Sequence, residues 1–589
     1  MMKKTILAAA LAATTLTLAL PATAGKFNAI KPPPAQGQLG TVIVNPYGLS
    51  PQTAVIDLGG YEIDYAEVIV HGKGQNGVDI EYDAHRETIL NHNGVPVFGL
   101  YADYDNQVTL KYEKDGKKIE ETYSIWTLPQ QGGAVVNGVK ANFPEVTVNK
   151  VDPDFKDRLY LMNYLLPVPG SYDITWKGGM GAMEWDRWSF VYVLDTEGET
   201  RWALDTKMLH NVKDIDKRGI MMGFHQTENG DLVFGQGQKI YRMDMFGKMI
   251  FEWNLPRGYQ DFSHDMQAMP NGNYLVRAAK TDYLRKDGKR VHTVRDHILE
   301  MDQSGKLVEV WDLNKILDNM RDDLLKALNA GAVCLNIDED KMGKLAKIEP
   351  DAPYADIPGV GAGRNWAHVN SVEYDPADDS IILSLRHQGN FKIGRDKEVK
   401  WILSPSIGWS DKFADKLLQP IDSDGDEIEC TDKGFCADSD FDFTYTQHTT
   451  WLTNKKYDDG GLGIVSFDNG DGRHMEQPAL PTMKYSRAVE YVINEDDMTV
   501  EQKWEYGKDR GFDWYSVVTS NVSYEKDKNS MFTFSANTHL GTKGRRSGGT
   551  LNEIRYGTQD VAVDIDFLYL MPRNAAYRAL VINPDKTVK

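Results

Sequence analysis

The sequence predicts an all-β protein, a six-bladed β-propeller with an N-terminal β-sandwich domain. Three observations predict it. One phrase recurs: an apolar pair, an Asp, a turn with Gly, then a strand carrying Trp. It reads YVLDTEGETRWALD, IYRMDMFGKMIFEWNLP and ILEMDQSGKLVEVWDL, with looser copies in FKIGRDKEVKWIL and YVINEDDMTVEQKWEYG. A second phrase opens on a histidine, passes through a polar turn and ends in an apolar strand. Its copies start at His225 (HQTENGDLVFG), His264 (HDMQAMPNGNYLV), His368 (HVNSVEYDPADDSIILSLR) and His448 (HTTWLTNKKYDDGGLGIVSF). The third observation is the alternation of apolar and polar residues before the repeats begin, broken at Gly, Asn and Asp.

The elements follow in chain order. Residues 1–24 read as a secretory signal peptide: Lys3 and Lys4 form a positive start, Ile6 to Leu20 an apolar stretch, and Ala22-Thr23-Ala24 a small-residue cleavage site, with cleavage expected after Ala24. Export to the periplasm follows from it. No later stretch approaches the roughly 20 apolar residues of a membrane span, so no membrane association is expected. Residues 28–140 read as the sandwich, with KYEKDGKKIEETY as a hairpin turning at Asp115-Gly116. LPQQGGAVVNG (128–138) reads as a linker, and the propeller occupies 150–589.

The repeat tryptophans are Trp202, Trp253, Trp311, Trp401 and Trp504. The first two gaps are about 50–60 residues, the length of one four-stranded blade. The two later gaps are nearly twice as long and require insertions or an unrecognised blade. Each tryptophan is expected between blades. The C-terminal strands VAVDIDFLYLM and AYRALVIN are expected to close the ring. NKILDNMRDDLLKALNAG reads as a helical insertion with Leu317, Met320, Leu324, Leu325 and Leu328 on one face.

Charge and cysteine usage narrow the function. A formal net charge of −20 excludes a nucleic-acid binder, which needs a basic face. Cys430 and Cys436 are close enough to close a small loop in an exported protein, and a disulfide is expected, with periplasmic thiol-oxidising machinery as a partner. Cys334 is the odd one and reads as a buried thiol. IDSDGDEIEC resembles a calcium loop through Asp422, Asp424 and Asp426, but Glu427 stands where an EF-hand needs Gly, and a solvated acidic turn is favoured.

A repeat that places its histidine at one position points several imidazoles at one axis. Asn370 lies two residues after His368, and Arg386 ends the strand that follows. His225 is a weaker member and His387, beside Arg386, is left open. His71, His85, His92, His210, His292, His297, His474 and His539 read as structural or surface residues. Three histidines could bind a metal, but Asp265 would point away from His264 on a strand, and no other carboxylate falls in phase. The arginine opposes a cation, and its planar fork matches a tetrahedral oxyanion. No metal and no cofactor are therefore expected.

FSHDMQAMPNGNYLV, NWAHVNSVEYDP, SLRHQ, TQHTTWL and SFDNGDGR, together with the leader, the β-rich N-terminal part and the close cysteine pair, resemble bacterial periplasmic arylsulfate sulfotransferases over the whole mature chain. The resemblance implies a six-bladed propeller that moves a sulfuryl group from an aryl sulfate donor to a phenol acceptor without a nucleotide sulfate. It implies His448 as the nucleophile, His264, His368 and Arg386 as catalytic partners, and Asn370 as an anion contact. Thr519 in SVVTSN and Tyr577 in NAAYRAL are implied as substrate-pocket residues, and a homodimer is plausible by the same resemblance. Neutral imidazole is a competent nucleophile near neutral pH, so ping-pong transfer through sulfohistidine is expected. Trp366, Trp451 and Phe441 lie beside the motifs as candidate walls. Two other readings compete: a metal-dependent propeller hydrolase or lyase, and a periplasmic propeller that binds ligands without turnover.

Overall fold

The computed structural model describes residues 40–587 apart from 60–61, 130–134, 137–138, 141–142, 168–186, 211–216, 218, 285–287, 289, 319–320, 322–366, 387, 459, 476–479 and 571–573. The leader, Cys334, Trp366, His387 and most of the helical insertion lie outside the described residues. Of that insertion a helix Leu313–Ile316, an extended Leu317, Asp318 and a buried Arg321 that donates to Ile407 O at 2.7 Å are described.

The N-terminal part pairs Thr41–Val44, Ala54–Asp57 and Gly94–Val97 in one sheet. Ile80–His85, Tyr65–Val70, Asp105–Lys114 and Lys117–Trp126 form a second. The expected hairpin is present. Lys114 faces Lys117, and Asp115 and Gly116 take φ 53° and 72°, the left-handed pair a two-residue turn requires. A helix, Arg86–His92, was not anticipated. It buries only Thr88 and Ile89 and ends at Asn93 in the left-handed region, too short a segment to show a helical period.

Among the described residues a two-stranded ribbon, Val135–Val136 with Val139–Lys140, and six larger sheets follow. Blade 1 contains Leu159–Pro167, Arg187–Asp195 and Thr200–Ala203, and its innermost strand, Ala575–Ile582, comes from the C-terminus. Blade 2 runs from Met222–Gln226 to Met249–Asn254, blade 3 from Met266–Ala268 to Leu307–Asp312, and blade 4 from Val369–Asp375 to Val399–Leu403. Blade 5 runs from Thr450–Leu452 to Thr499–Tyr506 and blade 6 from Asn521–Glu525 to Val561–Leu568. Blade 6 gains Glu145–Val151 as its outermost strand. Innermost strands of consecutive blades touch, and blade 6 touches blade 1, so the sheets close into a propeller-like ring. Both chain ends are used in that closure, which removes the open edge an all-antiparallel sheet would expose.

The recurring phrase is now explained. Asp195, Asp244 and Asp302 each begin the turn between a blade's third and fourth strands, and each Oδ1 accepts two backbone N–H groups across it. Gly198, Gly247 and Gly305 follow at φ 79°, 88° and 79°, a conformation that glycine adopts without strain. Trp202, Trp311 and Trp401 are fully buried on fourth strands. Each indole N–H reaches the next blade: Trp202 to Met245 O at 2.6 Å, Trp311 to Gly394 O at 3.0 Å, and Trp401 to Glu495 Oε1 at 2.7 Å. Trp504 reaches Thr558 O in blade 6 at 2.8 Å. Trp253 packs instead on Phe251 and Gly305, where a Cβ would come within 3.0 Å of its ring.

The long gaps also resolve. One excursion separates blades 3 and 4, another separates blades 4 and 5, and blade 6 has no repeat tryptophan. The second excursion carries the disulfide Cys430–Cys436. Its acidic stretch is a surface turn in which Asp422 Oδ1 accepts from the N–H groups of Asp424 and Asp426. Among the described residues no group of three or more His, Cys, Asp or Glu is arranged to hold a metal ion, and no helix is long and apolar enough to cross a membrane.

The N-terminal sheets rest on blades 1 and 2. Arg201, fully buried, donates to Val78 O at 2.6 Å and Gly99 O at 2.8 Å, and Gln52 donates to Thr200 O at 3.0 Å.

Candidate active site

The histidine phrase places its imidazoles at the ring's centre. His264, His368 and His448 sit just before the innermost strands of blades 3, 4 and 5, and all three are buried. His264 and His368 take φ 69° and 54°. A left-handed residue turns its side chain away from the direction that strand alternation would give it, and histidine tolerates that region better than most residues. His368 Nε2 lies 3.2 Å from His264 Nε2. The rings of His264 and His448 are 6.0 Å apart, and Tyr577 stands 5.6 Å from His448.

His448 is held from two sides. The backbone N–H of Thr519 donates to its Nδ1 at 3.0 Å, and its Nε2 lies 3.5 Å from the Tyr577 hydroxyl. Thr519 and Ser520 both take positive φ, 60° and 82°. A β-branched residue there is strained by about 1–3 kcal/mol, and such strain collects at functional sites. Its hydroxyl donates to Ala576 O at 2.9 Å, which locks the turn against the strand carrying Tyr577. Burial pushes the His448 imidazole well below its ordinary value, and His264, Arg578 and Arg386 push it the same way. The ring is neutral at neutral pH.

Arg386 and Asn370 reach the same centre in ways the sequence did not indicate. Arg386 Nη1 donates to Thr446 O at 3.1 Å and Nη2 to Val517 O at 3.3 Å, with Asp471 3.8 Å away. It bridges the segments that lead into His448 and Thr519. Asn370 sits where the pairing of its strand shifts register, and its Nδ2 donates to Gln447 O at 2.9 Å. One amide hydrogen and part of the guanidinium fork are therefore already engaged with backbone carbonyls.

The expectation that no carboxylate joins the group is corrected. Asp265 does point away from His264, but it is fully buried and accepts from Arg578 Nη1 at 2.7 Å, with His225 Nε2 2.8 Å away on the same oxygen. Its other oxygen accepts the N–H of Val372 at 3.0 Å, and Arg578 Nη2 donates to Asn370 O at 2.6 Å. Burial works to raise the Asp265 carboxyl, but Arg578 and His225 outweigh it and hold it below its ordinary range. This network ties blades 1 to 4 together beside the three histidines. His225 belongs to it because it lies inside its strand and not before it. Arg578→Ala would leave Asp265 buried with a weaker partner and should cost about 3–5 kcal/mol, read as an earlier midpoint in urea.

Arg578, Arg277 and Ser263 were missed by sequence reasoning, which weighed Asp265 only as a metal ligand. Arg277 donates to the Ser263 hydroxyl, which lies 2.9 Å from His264 Nδ1. Trp451 stands beside His225 and Arg578, at 5.3 Å from each. Phe441 is corrected: it packs with Phe443 and Tyr491 in the core between blades 4 and 5. Among the remaining histidines, His92 meets Tyr47 in the N-terminal part, His210 stacks on Trp188, and His297 pairs with Asp312.

A closed ring of β-sheets with three imidazoles, a phenol and two guanidiniums gathered at its axis defines a propeller with an axial polar centre suited to an anionic group. Comparison with known proteins then fixes the family. Residues 145–578 match the arylsulfotransferase family model, and residues 41–127 match the arylsulfotransferase Ig-like domain. The chain belongs to the arylsulfotransferase family. It is 48% identical to arylsulfate sulfotransferase AssT of Escherichia coli O6:H1 (strain CFT073) over 602 aligned positions, covering 100% of this chain and 99% of that protein. It is 45% identical to arylsulfate sulfotransferase AssT of Lelliottia amnigena, with the same coverage. Among solved structures, the WD40 domain of Toxoplasma gondii coronin gives a TM-score of 0.28 at 7% identity, covering 73% of this chain and 91% of that one.

Proposed function

We propose that this arylsulfotransferase moves a sulfuryl group from an aryl sulfate to a phenol in two steps, through a sulfohistidine on His448. The observation that carries the reading is the Thr519 N–H on Nδ1 of a buried, neutral His448. An accepting Nδ1 places the ring proton on Nε2, the atom that faces Tyr577. In the first step Nε2 loses its proton as it attacks, which frees the in-plane lone pair for sulfur, and the Nε2–S bond forms while the S–O bond to the aryl group breaks. The Nε2 proton passes through the neighbouring imidazoles to the departing phenolate, which leaves as the phenol. The ring ends as a neutral N-sulfoimidazole whose Nδ1 still accepts from Thr519. In the second step the acceptor phenol loses its proton by the reverse route, and its oxygen takes the sulfuryl group from Nε2.

His264 and His368 carry that proton. Ser263 accepts from Arg277 and keeps a second lone pair and its own hydrogen, so it can pair with His264 Nδ1 whether or not that nitrogen is protonated. The Nε2 atoms of His264 and His368, 3.2 Å apart, share one proton between them, so the pair can take up a proton from His448 at one ring and pass one on from the other. Arg386, Asn370 and Tyr577 are the donors assigned to the sulfuryl oxygens, where charge builds during transfer. A sulfate ester carries a single negative charge, so fixed guanidiniums and amides can balance it.

Two kinetic outcomes test this. Double-reciprocal plots at varied donor and acceptor should be parallel, and intersecting lines would mean direct transfer in a ternary complex. The second concerns pH. His448 in the fold binds its proton only well below 6.5, so the nucleophilic form persists as pH falls through the ordinary imidazole range. Phenol release in the first half-reaction should lose its rate only at lower pH. An acid limb at or above the ordinary imidazole value would contradict the assignment.

The leader with its Ala24 site and the Cys430–Cys436 pair support a periplasmic location, reached by export and completed by thiol-oxidising machinery. The active protein is proposed to be a homodimer.

A further inference from the structure

A second cavity, of about 530 Å³, lies between the outer strands of blades 3 and 4, and none of the axial histidines lines it. Its charge is unusual for this chain. The protein carries a net −20, yet Lys280, Lys315, Lys397, Lys412 and Lys416 all line this one cavity, against the carboxylates of Asp312 and Glu398. Asp312 is already engaged: it takes Lys315 at 3.1 Å, the Tyr283 hydroxyl at 3.2 Å and His297 at 3.3 Å. Lys416 pairs with Asp415 at 3.1 Å, and Lys397 has Glu309 at 3.3 Å, neither acid lining the cavity.

Two of the five make no ion pair among the described residues. Lys280 lies over the Tyr259 ring at 4.1 Å, and Lys412 over the Phe413 ring at 4.8 Å. Tyr259, Tyr283 and Phe413, all buried, supply an aromatic lining beneath the ammonium groups. A cavity of this size with apolar walls and a few convergent polar heads has the form of a small-molecule site. The excess of ammonium over carboxylate selects an anion, and the rings select a flat apolar body.

We propose that this inter-blade cavity binds an aromatic anion, an aryl ring carrying one sulfate, sulfonate or carboxylate group. The charged group meets Lys280 and Lys412, and the ring lies against Tyr259 and Phe413. The site is separate from the axial centre and requires no chemistry there.

A brominated naphthalenesulfonate is the probe, because its carbon–sulfur bond is not an ester and cannot be turned over. Soaked into crystals of the full chain, it should give an anomalous bromine peak between blades 3 and 4. Lys280→Glu with Lys412→Glu should weaken binding of the probe at this cavity by roughly tenfold or more, with aryl sulfate turnover unchanged. No peak at the cavity, or a peak only at the axial histidines, would overturn the proposal. So would equal occupancy by neutral bromonaphthalene, which needs no lysines. Displacement of the probe by an equal concentration of inorganic sulfate would reduce the cavity to a simple anion site and overturn the aromatic part.

Discussion

His448→Ala is expected to lower sulfuryl transfer by roughly 10⁴-fold or more while leaving the fold in place, because loss of a covalent nucleophile removes the step and not just a contact. The structural cost is local. The Thr519 N–H loses its acceptor, which amounts to about 1–3 kcal/mol for a buried donor left unpaired. The indole contacts between blades and both ring closures are untouched, so the circular dichroism spectrum should match the parent. His448→Gly should regain part of the phenol release when free imidazole is added, since the vacated space faces Tyr577 and the Thr519 N–H remains to orient the ring. Turnover of His448→Ala near the parent rate would remove the nucleophile assignment.

The second large effect is expected at Arg386. Its two Nη groups bind Thr446 O and Val517 O, two residues before His448 and two before Thr519. The fork therefore joins the segment bearing the imidazole to the segment whose N–H orients it, and it adds positive charge beside the transferring group. Lysine keeps the charge but has one compact ammonium that cannot span both carbonyls at the guanidinium angle. Arg386→Lys should lower kcat by about 10²–10³-fold, the cost of losing one preorganised element of such a centre. A loss within a factor of about two would mean that charge alone matters and the bridge does not.

The propeller and most of the axial group were legible in the sequence because both are written as local repeats. An Asp that collects two N–H groups, a glycine at positive φ and a tryptophan on the next strand recur within one short window. Blade 6 carries no copy of the phrase, because its fourth strand Val561–Leu568 has no tryptophan, and it takes its outermost strand from Glu145–Val151, far earlier in the chain. The helix Arg86–His92 is shorter than two turns and gave no period. At the site, Asp265 points away from His264 as strand alternation suggested, but the partners it meets there, His225 and Arg578, come from blades 2 and 1. The Arg578–Asp265 pair joins residues 313 positions apart and exists only once the ring has closed. The group that orients His448 is a backbone N–H, which no side chain announces. The resemblance carried by TQHTTWL and SVVTSN pointed to two segments that meet in the structure, without showing how they touch.

His448 is proposed to carry the sulfuryl group between donor and acceptor. Brief exposure of the protein to an aryl sulfate without an acceptor, followed by mass spectrometry of the peptide containing His448, tests it most directly. A gain of one SO₃ on His448, lost again when phenol is added, is the result expected. An unmodified His448 in protein that continues to release phenol would contradict it.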